Sequence, residues 1–195
     1  MTPNRSDALA LMEEWTSSES LRKHMLAVET AVAAYALRLG EDEELWSVAA
    51  LLHDFDYERF PNPERDQTGH PFVGVAELRA RGYPETVTEA ILGHADYSGV
   101  PRVSLLAKVL YACDELTGLI TAATLVRPGK DIAGLGVASL KKKFKDKAFA
   151  RGVNRGDVVR GAEELEVDLW EHVAFVLEAM QARSDELGLT GTPAQ

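Results

Sequence analysis

The sequence is short of cysteine, of uninterrupted apolar runs and of positive charge, and each shortage excludes a class of protein. One cysteine, Cys113, stands in 195 residues, so no internal disulfide can form and no thiolate set for a structural zinc knot exists. No apolar stretch reaches the roughly 18 residues of a membrane helix. Even "VSLLAKVLYACDELTGLI" is interrupted by Lys108, Asp114 and Glu115. With 21 basic against 31 acidic residues the net charge is −10, which argues against broad binding to nucleic acid or to an anionic membrane. A glycine-rich phosphate loop of the GxxxxGK[ST] kind is missing. The opening "MTPNRSDALALMEEW" lacks the basic, apolar and small-residue succession of a signal peptide, so a cytoplasmic protein is expected. Nor is there β-type alternation of useful length, an internal repeat or a linker-like composition.

What remains reads at helical period. In "SESLRKHMLAVETAVAAYALRLG", Leu21, Val28, Val32, Tyr35 and Leu39 recur at steps of three, four and seven, and Gly40 stands where a helix would stop. The acidic "EDEE", residues 41–44, supplies first-turn charges for a second helix running through Leu45, Val48, Ala49 and Leu52 to the pair His53-Asp54. "DFDYERFPNPERDQTGHP" reads as a loop, and Pro71 and Pro84 each stand at the start of a further helix. "RVSLLAKVLYACDELTGLITAATLV" is another long helix, closed by Arg127-Pro128-Gly129. The chain is long enough to bury a core of its own. We expect an all-α fold: a helical extension over 1–17, a core over 18–128, a C-terminal helical part of the same domain over 129–188, and a flexible tail over 189–195.

The histidines and aspartates occupy particular places in this pattern. His24 shares the inward side of its helix with Leu21, Val28, Ala31 and Tyr35. His70 precedes Pro71, His94 follows Val87, Ala90 and Ile91 on one face, and Asp114 follows Val103, Ala107 and Leu110. A lone histidine on an apolar face is usually a satisfied core residue. An inward carboxylate is different, because it costs several kcal/mol unless paired or coordinated. Lys108 lies on another face from Asp114, and a divalent metal would account for all of these positions together.

The ordered set His24, His53-Asp54 and Asp114 on successive helices resembles the metal-binding signature of the HD-domain superfamily of phosphohydrolases, over about residues 21–114. His70 and His94 fall between the pair and the last aspartate, where two-metal subgroups carry extra histidines. Those subgroups include cyclic-dinucleotide phosphodiesterases and mixed-valent di-iron oxygenases. The resemblance implies a compact helical bundle binding one or two divalent ions, iron, manganese, cobalt, nickel or magnesium. His24, His53, Asp54 and Asp114 would hold one ion, His70 and His94 the second, with Asp54 bridging. The "GYP" at Gly82 to Pro84 lies upstream of His94 and reads as a turn, unlike the motif of the diesterase subgroup.

By the same resemblance, the chain would hydrolyse a phosphate ester of a small molecule or nucleotide with a metal-activated water. Asp54, Asp96 and Glu115 would be its catalytic residues, the last two as candidate proton donors. The basic block "KKKFKDKAFARGVNR" offers Lys142, Lys143, Lys145 and Arg155 as a rim for a phosphorylated substrate; the alternative is a solvated helix face. The rival functions are a mixed-valent di-iron oxygenase on the same six ligands, a non-catalytic module, and a nucleoside-triphosphate hydrolase. His172 and Cys113 read as structural residues.

Overall fold

The computed structural model describes residues 4–191. Among the described residues the fold is all-α, ten α-helices with no strand and one isolated bridge between Asp131 and Thr190. The chain divides into two compact units, Met1–Tyr111 and Ala112–Gln195. Their boundary lies inside one unbroken helix, where composition leaves no mark. The short 3-10 turn Pro128–Lys130 follows this helix.

The first unit contains α1 (Arg5–Trp15), α2 (Glu19–Leu39), α3 (Glu43–Leu51), α4 (Phe72–Ala80), α5 (Glu85–His94) and the start of α6 (Leu105–Leu125). Each of the first three helices opens on a side-chain cap. Asn4 accepts the Asp7 N–H at 2.9 Å, Ser18 accepts from Leu21 at 3.4 Å, and Asp42 accepts from Leu45 at 3.0 Å. Gly40 ends α2 in the left-handed region, φ 74°, which a side chain would resist. Helix α3 is the centre of this unit. Residues Trp46 to Leu52 are all buried, because α1, α2 and α5 pack around it. Its Ala49 and Ala50 are fully buried, and Leu51 and Leu52 are shut from water, each contributing about 1.5–3 kcal/mol. Pro71 and Pro84 stand just before α4 and α5 rather than as their first residues, and neither caps with a side chain.

The second unit contains the rest of α6, then α7 (Val137–Lys145), α8 (Arg155–Glu164), α9 (Leu169–Ala182) and α10 (Ser184–Leu187). Here α9 is the common partner of α7, α8 and α10. Gly161 of α8 lies against Ala112 so closely that a Cβ would fall 2.6 Å from the Ala112 Cα. His172, buried on α9, meets the Ala112 carbonyl through Nε2 at 2.9 Å, in agreement with a structural role. Of the tail expected over 189–195, residues 192–195 lie outside the described residues. Leu189, in contrast, is buried, and its carbonyl accepts the Ile132 N–H at 2.9 Å, so the chain is tied down to Thr190 by backbone pairing that composition does not announce.

Candidate metal centre

Two helices of the first unit end on histidines that are held in the same way. The C-terminal carbonyls of a helix have no partner inside it. His53, one residue past the end cap of α3, turns its Nδ1 back onto the Ala50 carbonyl at 2.7 Å. His94, the last residue of α5, turns Nδ1 onto the Ile91 carbonyl. A carbonyl only accepts, so Nδ1 carries the proton in both rings, and a neutral imidazole then presents a bare Nε2. His70 stands in the turn before α4, where no helix carbonyl is offered. Its Nδ1 instead donates to Asp56 Oδ1 at 2.7 Å, and its own carbonyl accepts from Asn62 Nδ2 and from Tyr97 Oη, both at 2.7 Å.

All four of these Nε2 atoms, counting that of His24 on α2, surround Asp54. His24 and His53 face Oδ2, at 3.8 and 3.6 Å. His70 and His94 face Oδ1, at 3.3 and 3.5 Å. One carboxylate thus serves two pairs of imidazoles, one pair to each oxygen. His70 and His94 also bring their Nε2 atoms within 3.2 Å of each other, although both rings are tethered at Nδ1. Two lone pairs at that distance repel unless a cation lies between them. Ligands of one ion at bond lengths near 2.1 Å stand roughly 3–3.5 Å apart, so these separations fit shared coordination better than direct hydrogen bonds. The donor set of Asp54, His70 and His94 therefore fits a divalent metal.

Two further residues, Asp56 and Tyr97, hold this cluster from outside it. Asp56, 1% exposed, accepts from His70 with Oδ1 and from the Gly74 N–H with Oδ2, each at 2.7 Å. Its only trace in the sequence is its place two residues after Asp54. Tyr97 locks the His70 carbonyl, and its phenol is pushed up to about 12 by burial first and then by the charges of Asp54 and Asp56, so it stays a donor. A cavity of about 490 Å³ has His24 in its wall, with Leu21, Tyr57 and Pro61 as apolar surface and Ser18, Ser20 and Glu58 as polar groups. The Tyr57 ring stands edge-on to His70 at 5.2 Å, so this cavity adjoins the cluster through two of its members.

Asp96 is on the surface turn after α5, its carboxylate 2.9 Å from the Arg102 guanidinium. In the second unit, Asp114 sits half-buried on α6, and neighbouring Glu115 accepts the Asn154 N–H at 3.1 Å. Lys142 and Lys145 are exposed on α7, whereas Lys143 lies 4.4 Å over the Phe149 ring. Arg155 departs from the expected phosphate rim. Its guanidinium donates to the carbonyls of Phe144, Ala150, Val153, Asp146 and Phe149, because the turn between α7 and α8 needs those acceptors satisfied. The Cys113 thiol is pushed up by burial and by the Asp114 charge, as a core residue would be rather than a nucleophile.

An all-helical scaffold that brings histidines to a shared aspartate defines a metal-binding helical domain, and comparison with known proteins agrees. The HD domain family model matches residues 21–119, and the chain belongs to that family. The chain is also similar to Ribonuclease Y of Lactobacillus acidophilus, 29% identical over 119 residues, covering 60% of this chain and 21% of the relative. Ribonuclease Y of Lactobacillus gasseri and of Lactobacillus johnsonii are each 29% identical over 122 residues, with the same coverage. The chain thus spans about a fifth of the length of these relatives. No solved structure matches.

Proposed function

We propose that this chain hydrolyses phosphate esters of small molecules, with His24, His53, Asp54 and Asp114 holding one divalent ion and His70 and His94 holding a second that shares Asp54. The division of the Asp54 carboxylate between two histidine pairs is the observation that supports this reading most. Imidazole and carboxylate donors without thiolate suit iron, manganese, cobalt or nickel, and tolerate magnesium. Ions bound there would supply Lewis acidity toward a phosphoryl oxygen and a water acidic enough to be a nucleophile at neutral pH.

The chain's own contribution is preorganisation. His53, His70 and His94 are held through Nδ1, so their Nε2 atoms need no rearrangement to coordinate. The cavity beside His24 would take the alcohol part of the substrate. Leu21, Pro61 and the half-exposed Tyr57 ring offer it apolar faces. Glu58 is occupied there by the Ser17 and Ser18 N–H groups, at 2.9 and 2.7 Å, so it closes the entry to α2 rather than serving the substrate. Lys142 and Lys145 remain, on this proposal, the cationic groups for the phosphate. RNA is the substrate that the relatives' name invites, and the net charge of −10 weighs against it.

The test is hydrolysis of para-nitrophenyl phosphate and of bis(para-nitrophenyl) phosphate by metal-stripped protein reconstituted with manganese, cobalt, nickel or magnesium. Turnover that requires metal and disappears in Asp54→Ala is expected. Absence of turnover with every metal, together with dioxygen consumption by the iron-loaded protein, would establish the oxygenase reading instead.

A further inference from the structure

We propose that Asp56 is a positioning residue for the second ion: it clamps His70 to the start of α4, and its loss weakens the second ion while sparing the first. This rests on the reading of His70 and His94 as ligands of a second ion. His53 and His94 are each anchored by a carbonyl of the helix that carries them, so helix geometry itself aims their rings. His70 lies outside any helix and has no such anchor. Its ring is aimed by Asp56 alone among its Nδ1 contacts, across 14 residues of chain.

The clamp is stiff because both carboxylate oxygens are engaged. Oδ1 takes the imidazole N–H, and Oδ2 takes the Gly74 N–H, both at 2.7 Å. Gly74 is the third residue of α4, where backbone N–H groups have no partner within the helix, and Pro71 supplies no side-chain cap. Asp56 is the cap, delivered from a different turn, and its charge sits at the positive end of the helix. Glycine is required for this. A Cβ at residue 74 would lie 2.7 Å from both Asp56 Cγ and the Phe55 ring. The carboxylate cannot swing without giving up one of its two bonds, so the His70 Nε2 stays 3.3 Å from Asp54 Oδ1 and 3.2 Å from His94 Nε2. A buried carboxylate behind an imidazole also makes that imidazole a stronger donor to a metal.

An amide in place of this carboxylate fails in either orientation. With its oxygen toward His70, its NH₂ meets the Gly74 N–H, donor against donor. Turned over, the NH₂ faces His70 Nδ1 and drives the ring proton to Nε2, the atom that must coordinate.

The experiment strips the protein with a chelator and titrates it with Co²⁺, following the visible spectrum and the ions bound per chain. The wild type should bind two ions and His70→Ala one. Asp56→Asn should bind the first as the wild type does and the second about 10–100-fold more weakly, the usual cost of losing such a partner. A merely structural role would lower both affinities or neither. A second Co²⁺ bound at wild-type strength by Asp56→Asn overturns the proposal. A wild type that binds a single ion overturns the dinuclear reading beneath it, before any variant is compared. Should Asp56→Asn not fold, proton NMR of the wild type decides: the His70 Nδ1–H should resonate far downfield and vanish in His70→Ala, and no such resonance would mean no clamp.

Discussion

A carboxylate has two oxygens, and in Asp54 they face different partners, His24 and His53 on Oδ2, His70 and His94 on Oδ1. Replacing one oxygen by an NH₂ group keeps the size and removes both the charge and one acceptor. Asp54→Asn should therefore lower activity on para-nitrophenyl phosphate by more than roughly 100-fold, the upper cost of losing an outer partner, since Asp54 is proposed as a direct ligand. Its metal content should fall as well. Wild-type metal content and rate in this variant would remove Asp54 from the centre of the account. At this scale the proposed ligand residues are legible in the sequence because an inward histidine or carboxylate in a helical pattern is conspicuous. Asp56 was not, since it works from a turn on a ring 14 residues away. Arg155 was legible as a charge only, and five backbone carbonyls take up what looked available to a substrate.

At the scale of the element, α3 and α5 show why an apolar helix can end in a histidine. The terminal carbonyl needs a donor, the ring needs a fixed orientation, and one hydrogen bond meets both needs. In the second unit, α9 uses a histidine differently. His172 is buried, and burial lowers its pKa from the ordinary 6.5, the Ala112 carbonyl opposing this only in part. Folding therefore favours the neutral ring. Its contribution to stability is complete above pH 6.5 and is lost as pH falls through the lowered folded value. Melting temperature measured from pH 7.5 down to 4.5 should fall more steeply in the wild type than in His172→Gln. Parallel curves would show that α9 does not sense this proton. Helix existence was readable from period and caps, as with Asp42 before α3 and Ser18 before α2.

At the scale of the molecule, the two compact units meet within α6, so a boundary exists where the chain is most regular. Sequence patterns mark boundaries by breaks, and an unbroken helix offers none. The family match spans residues 21–119 and so runs from α2, which carries His24, into α6, which carries Asp114. The basic block lies outside that match, on an otherwise acidic chain. An Asp54 carboxylate shared between two histidine pairs predicts two metal ions in the protein. Mass spectrometry of protein purified without added metal, beside His70→Ala and His94→Ala, measures this directly. Near two ions per chain, falling toward one in both variants, is the predicted result. One ion per chain, the same in all three proteins, would contradict the shared carboxylate and leave a mononuclear site.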